Sequence, residues 1–488
     1  MEEIELGNKM GASDPKVYGT AEKLPQYIAA LSVCLGAVAA GTVLGWTSNI
    51  SLESGDLNSV TPKTPDEKGW IGSYTTLGAM IMCFPIGYLC DLIGRKLTML
   101  LTIIPFTVGW LLIIFCDNLG MIYAGRFLTG MAGGGFCVSA PLYTSEIAQD
   151  DIRGALGSFF QLLLCVGILI SNILGAYVDI KVFSIICAMI PLIFGVVFFF
   201  QPETPIYSMK KGNEAAALAA LKKLRGANYK CELELEDIKK ALEEERNSKI
   251  SFVDGLKTTA AKKSLIICFG LMFFQQMGGI NAFIFYTGDI FKSTGSSLDP
   301  KVATIIIGTV QLLATFASSL VVDKFGRKIL LLFSDFFMLV SGLVLAIFFT
   351  VKKNMTDQEI KDIGWIPITS LIVFFIVFSL GYGPIPWIAS SELMPTNIKA
   401  VASSAAATFN WFLAFLVTKF FLTLSENLGN DVTVYIFALI SALGTVFVWF
   451  TVVETKGKSQ AQIQRELGGE TFKNSSGVEN PNFNNTIH

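Results

Sequence analysis

Twelve apolar blocks of about 20 residues recur along the chain. That is the length a helix rising roughly 1.5 Å per residue needs to cross a hydrocarbon layer of about 30 Å. They lie near residues 27–47, 69–90, 97–116, 119–143, 155–179, 182–201, 264–291, 302–322, 329–350, 365–389, 397–421 and 432–453. The longest polar stretch, about 203–263, divides them six and six. Within it, residues 213–226 and 232–246 read as short charged amphipathic helices at the membrane surface. The pattern predicts an all-α membrane protein, twelve transmembrane helices in two pseudo-symmetric bundles of six. Its parts are a tail over 1–26, a bundle over 27–201, a linker over 202–263, a second bundle over 264–453 and a tail over 454–488.

Composition removes the water-soluble alternative, because a chain 52% hydrophobic and 16% charged has more apolar surface than one globule can bury. The start, MEEIELGNKMGASDPK, is polar and acidic and is not expected to be a removable signal. An even helix number puts both tails on one side. Arg95, Lys96, Arg153, Lys210, Lys211, Lys222, Lys223, Arg225, Arg327 and Lys328 fall on that side, which the positive-inside bias makes cytoplasmic, although Lys352, Lys353 and Lys361 dilute the contrast. A multi-pass plasma-membrane protein working as a monomer, with lipid around it, is the expectation.

Charge and chemistry narrow the function. A net charge of -2 argues against a nucleic-acid partner, and the single histidine, His488, excludes a histidine metal site or proton relay. Cys34, Cys83, Cys137, Cys165, Cys187 and Cys268 sit in apolar runs without paired spacing, as packing residues do. No Walker motif, metal cluster or activated nucleophile is apparent, so neither enzyme chemistry nor a cofactor is expected.

The two halves repeat each other. Asp91, Gly94, Arg95 and Lys96 follow helix two as Asp323, Gly326, Arg327 and Lys328 follow helix eight; Glu146 precedes Arg153 as Glu392 precedes Lys399; Glu203-Thr204 is matched by Glu454-Thr455. The offsets are 232, 246 and 251 residues, in the same order, which is the mark of an internally duplicated carrier. Basic residues at helix ends set topology and snorkel. Topology does not ask for the matched acids, so Asp91, Arg95, Glu146, Arg153, Glu203, Asp323, Arg327, Glu392, Lys399 and Glu454 are candidates for ion pairs that gate the cytoplasmic mouth.

With Gly125-Arg126-Phe127, Pro141-Leu142-Tyr143, Gln275-Gln276, Gly279-Ile280-Asn281 and Gly383-Pro384-Ile385-Pro386-Trp387, the pattern resembles the sugar porters of the major facilitator superfamily. That family includes the facilitative glucose transporters and the insect trehalose transporters, and the resemblance runs from helix one to Gly457. Ser319, Val453 and Ile206 depart from its usual motifs.

The resemblance implies a sugar site of Gln161, Gln275, Gln276, Asn281, Gln311, Trp387 and Asn410. The residue types agree, since a carboxamide both donates to and accepts from a hydroxyl without a charge to dehydrate; each amide alone could equally tie two helices together. Bringing Gln275, Gln276 and Asn281 to one cavity asks for a break near Gly278-Gly279, and the prolines before Trp387 ask for one in helix ten. Trp411 is a further candidate.

Arg126 is buried in helix four and needs a partner. In proton-coupled relatives that partner resembles an aspartate on helix one; here residues 27–47 hold no acid and Thr47 occupies the place. Facilitated, bidirectional transport by alternating access follows. Phe273 to Gln276, Phe285 to Thr287 and Phe378 to Gly383, with Ser379 for a glutamate of the mammalian glucose carriers, favour trehalose, a hexose such as glucose or fructose being the alternative. A proton symporter and a non-transporting sugar sensor are the other readings, the latter opposed by the short tail after Val453. Asn49 and Asn354 head glycosylation signals expected outside; Asn474 and Asn484 head others expected inside.

Overall fold

The computed structural model describes residues 18–50, 60, 62–226, 228–247, 256–395, 398–458 and 460–468. Twelve long helical elements carry the fold: α1 (Leu24–Trp46), α2 (Pro65–Ile93), α3 (Arg95–Ile114), α4 (Leu119–Ile147), α5 (Asp150–Tyr177) and α6 (Ile180–Phe199), then α7 (Thr259–Thr294), α8 (Pro300–Phe325), α9 (Arg327–Lys352), α10 (Trp365–Leu393), α11 (Lys399–Leu428) and α12 (Asn430–Thr451). Eleven of them are long and apolar enough to span a bilayer. The exception, α4, is 29 residues long but rich in glycine and polar residues. Its composition reflects packing: a Cβ at Gly130 would stand 2.1 Å from the Thr75 carbonyl of α2.

Within the first half α2 lies on α4 and α1 on α5, and within the second α9 lies on α12. The halves meet along two seams, α2 against α11 and α5 against α8. Those seams exchange under the internal repeat, as a pseudo-twofold requires.

The acids that follow each half's motif have a structural task. Glu203 accepts from the backbone N–H of Lys96 at 3.0 Å and of Thr204 at 2.8 Å, closing the start of α3. Glu454 accepts from the N–H of Arg327 at 2.9 Å and of Lys328 at 3.0 Å, closing the start of α9. A carboxylate placed there meets unpaired amide donors and the positive end of the helix dipole. Burial raises the Glu203 carboxyl above its usual range despite those donors; burial pushes Glu454 the same way, but four backbone donors outweigh it and hold it below.

Among the described residues the linker holds three helices, Pro205–Lys210, Glu214–Arg225 and Cys231–Asn247. It is fastened to the first half by Arg225, which donates to the Ile147 carbonyl at 2.7 Å and pairs with Glu234 at 2.7 Å. Lys23 pairs with Asp151, and the helix Gln460–Gly468 lies against α7, so the described parts of both tails lie at the end of the bundle that carries the linker. This is the basic end of the bundle.

Two element boundaries differ from the hydropathy reading in a way that matters. α2 begins at Pro65, not near 69, because Thr64 caps it, accepting from the Glu67 N–H at 3.2 Å with proline at the first helical position. α11 runs on to Leu428, well past 421. Both extensions carry charged residues that the apolar blocks leave in loops.

Candidate functional site

Two helices are broken near mid-bundle. α7 divides into Thr259–Met277 and Ile280–Thr294, with Gly279 in the left-handed region at φ 91°. α10 divides into Trp365–Leu380 and Ile385–Leu393 around Gly381 to Pro384. The freed carbonyls find a partner: the Gln275 Nε2 donates to Tyr382 O at 2.6 Å and Gly383 O at 3.1 Å.

From that contact a chain of amides runs through the second half. The Gln275 Oε1 accepts from Asn410 Nδ2 at 2.7 Å, the Asn410 Oδ1 accepts from Gln276 Nε2 at 2.8 Å, and the Gln276 Oε1 accepts from Asn281 Nδ2 at 2.6 Å. All four side chains are buried. The break at Gly278-Gly279 brings Asn281 back to the face of Gln276. Gln276 Nε2 and Asn281 Nδ2 each meet one acceptor, whereas Gln275 Nε2 meets two carbonyls and Asn410 Nδ2 also lies 3.3 Å from Met272 Sδ. The second N–H groups of Gln276 and Asn281 and the second lone pairs of the amide oxygens are left for a polyhydroxy compound.

The other predicted residues are less committed. Among the described residues, the one side-chain hydrogen bond of Gln161 on α5 is a 3.9 Å contact to Cys165 Sγ one turn away. Gln311 on α8 is buried and, among the described residues, has no hydrogen bond. Trp387 is half-buried on α10. Trp411 lines a narrow central crevice with Ala40, Thr75, Gly130, Gly134 and Leu164, so this α11 indole reaches the first half. Among the described residues, the Trp411 Nε1 and the Thr75 Oγ1 are both buried there without a hydrogen-bond partner. Thr75 was not legible as a site residue, since a threonine inside an apolar block carries no signal of its own.

Arg126 is fully buried and, among the described residues, held without a carboxylate. Its Nη1 donates to Val43 O at 2.8 Å, its Nη2 to Thr47 Oγ1 at 2.7 Å and its Nε to Ile71 O at 3.3 Å, and the guanidinium lies 5.0 Å from the Trp46 ring. Thr47 therefore stands where the sequence placed it.

At the basic end, charges pair inside their own half. Arg95 joins Glu146 at 2.8 Å and Asp91 at 2.9 Å, and Arg327 joins Glu392 at 3.0 Å. Lys399 is half-buried at the start of α11. The Asp323 side chain lies outside the described residues. Arg153 does not meet Glu146: it is half exposed and pairs with Asp150 at 2.7 Å, because one helical turn separates those two while Glu146 faces Arg95. Asn49 is also corrected. Its amide donates to Gly45 O at 3.0 Å and packs on Gly175, so the nitrogen a glycan would need is turned into the bundle. Asn354 is exposed after α9. Asn474 and Asn484 lie outside the described residues. The nine cysteines are free, and eight are buried.

The lining separates two roles for the amides. A glutamine that only ties helices costs stability when lost; one that holds a ligand costs affinity. Gln161→Leu removes no strong protein hydrogen bond, so its expected effect falls on ligand affinity, a loss of about 5- to 150-fold for one to two hydrogen bonds, with thermal stability near the parent's. Titration calorimetry with the purified protein checks it, and unchanged affinity removes Gln161 from the site.

The model of the sugar (and other) transporter family matches residues 31–467. The facilitated trehalose transporter Tret1 of Anopheles gambiae is 38% identical over 92% of this chain, which spans only 57% of that protein. Tret1 of Culex quinquefasciatus is 38% identical over 92% of this chain and 87% of its own length. Among solved structures, the inward-open xylose transporter XylE of E. coli superposes with a TM-score of 0.74 at 22% identity, over 90% of this chain and 98% of that one.

Proposed function

The chain belongs to the sugar (and other) transporter family, and from that premise we propose that it is a uniporter, carrying trehalose down its gradient across the plasma membrane by alternating access. The basic end faces the cytoplasm in this reading, and one chain suffices. The observation that carries uniport is the set of partners around Arg126. A proton-coupled cycle needs a group beside this guanidinium that gains and loses a proton as access alternates. Thr47 and two carbonyls satisfy the arginine without titrating in the physiological range, so its charge is spent on structure.

Gln275, Gln276, Asn281 and Asn410 present hydroxyl-binding groups from the second half, Gln311 on α8 adds a buried amide from the same half, and Gln161, Thr75 and Arg126's neighbours belong to the first. Trp387 and Trp411 offer flat faces for the C–H side of a pyranose ring. The relatives named trehalose transporters support the disaccharide.

In sealed proteoliposomes, labelled trehalose should equilibrate in either direction at a rate indifferent to pH. Under an imposed pH gradient it should never exceed the concentration outside. Accumulation against the sugar gradient would overturn uniport, and stronger competition by glucose or fructose than by trehalose would overturn the substrate while leaving the carrier intact.

A further inference from the structure

Charges at the end of the bundle opposite the linker pair differently from those at the basic end. There two ion pairs cross between halves, while Lys353–Asp431 at 2.6 Å stays within the second half. Lys68, on the first turns of α2, places its ammonium 2.7 Å from the Asp289 carboxylate on the second segment of α7 and also donates to the Ile50 carbonyl. Lys419, toward the Leu428 end of α11, pairs with Asp66 of α2, and its ammonium lies 4.2 Å from the Trp70 ring centroid, also on α2. The two cations are 1% and 7% exposed, so each has given up water to reach across the seam. Beneath them the halves touch again where Thr76 Oγ1 and Thr418 Oγ1 stand 3.3 Å apart.

We propose that Lys68–Asp289 and Lys419–Asp66 form the outer gate of the transport cycle, a two-bolt latch that is closed in this conformation and must break for the outer mouth to open. Three physical arguments carry this. Each pair joins one half to the other, so any rotation that parts α2 from α7 and α11 separates both at once. The arginine pairs at the basic end lie within halves, so they do not oppose separation there. Finally, each pair joins a buried ammonium to a carboxylate that keeps contact with water, Asp289 27% and Asp66 61% exposed. It therefore yields only a small net free energy, because rehydration of the freed lysine offsets the lost attraction; such a bond holds a mouth shut and still opens on the scale of substrate binding. The cation–π contact to Trp70 adds to the second bolt alone.

That this end faces outward rests on the orientation proposed above, and the test keeps the two apart. Thr418→Cys puts a thiol in the seam below the latch, where an impermeant maleimide reaches it only when the mouth is open. In intact cells, with the parent chain and its native cysteines as blank, labelling should be slow. Replacing both cations, Lys68→Met with Lys419→Met, should speed it by about tenfold or more, the shift expected when two weak pairs are lost. The exchanged pair Lys68→Asp with Asp289→Lys should return the rate toward that of the intact latch, whereas Lys68→Asp alone should not. Equal rates in all variants that bind sugar and elute as one species would overturn the latch. Labelling that requires permeabilised cells but still responds to these substitutions would overturn the orientation and leave the latch standing.

Discussion

Asn410→Leu should cost more sugar affinity than the loss of any other amide, about 100-fold or more, because it strips two bonds from the network at once. Its Nδ2 holds Gln275 and its Oδ1 holds Gln276, so leucine leaves one buried acceptor and one buried donor without partners while filling nearly the same volume. Gln275 is then free to leave the carbonyls of Tyr382 and Gly383, and Gln276 to leave Asn281. The site loses its shape as well as its polar groups. Calorimetric affinity and thermal unfolding on the same preparation separate the outcomes: a loss of stability of about 1 to 3 kcal/mol with unchanged affinity would make the chain of amides a helix tie only.

Gly94→Ala and Gly326→Ala should each destabilise the fold by about 2 to 4 kcal/mol, enough to remove much of the folded protein from the membrane. Both glycines carry backbone that other residues rarely adopt, φ 100° and ψ 155° at Gly94 and φ 91° and ψ 155° at Gly326. A methyl group at Gly94 would also stand 2.3 Å from Glu203 Oε2, and one at Gly326 2.6 Å from Glu454 Oε2. The carboxylate that closes the next helix would have to move, and its backbone donors would lose their acceptor. Gly212→Ala supplies the control: its φ is 75° but nothing lies within 4 Å, so it should cost strain alone, about 1 kcal/mol. Detergent-solubilised yield and melting temperature read the series, and equal behaviour of Gly94→Ala and Gly212→Ala would remove the carboxylate contact from the account.

The sequence by itself determined the bundle, its division into halves and the repeat, because a bilayer leaves helices as the economical way to satisfy a backbone and sets their length. That the buried Arg126 needs a partner was legible for the same kind of reason. Thr47 came only from the family resemblance, as the residue in the place of an aspartate of proton-coupled relatives, and the packing of α4 on α1 and α2 decided that Thr47 and two carbonyls supply it. The break in α7 was legible in Gly278-Gly279. Which amides touch which was not, since periodicity assigns a face and only the packing of α7 on α11 decides that Asn410 sits between two glutamines. The matched acids were visible as a repeat, but that Glu203 and Glu454 close helix starts while Arg153 turns to Asp150 is a consequence of three-dimensional facing. The outer ion pairs were hidden for a different reason. Hydropathy ends a membrane helix at the first charges, so Asp66 and Lys68 fell beyond the apolar blocks, although Thr64-Pro65-Asp66-Glu67 is a readable helix start. Lys419 lies inside the block over 397–421, with nothing in the sequence to name its partner. Their partners lie hundreds of residues away, and only the closure of one half on the other brings a lysine of α2 to an aspartate of α7.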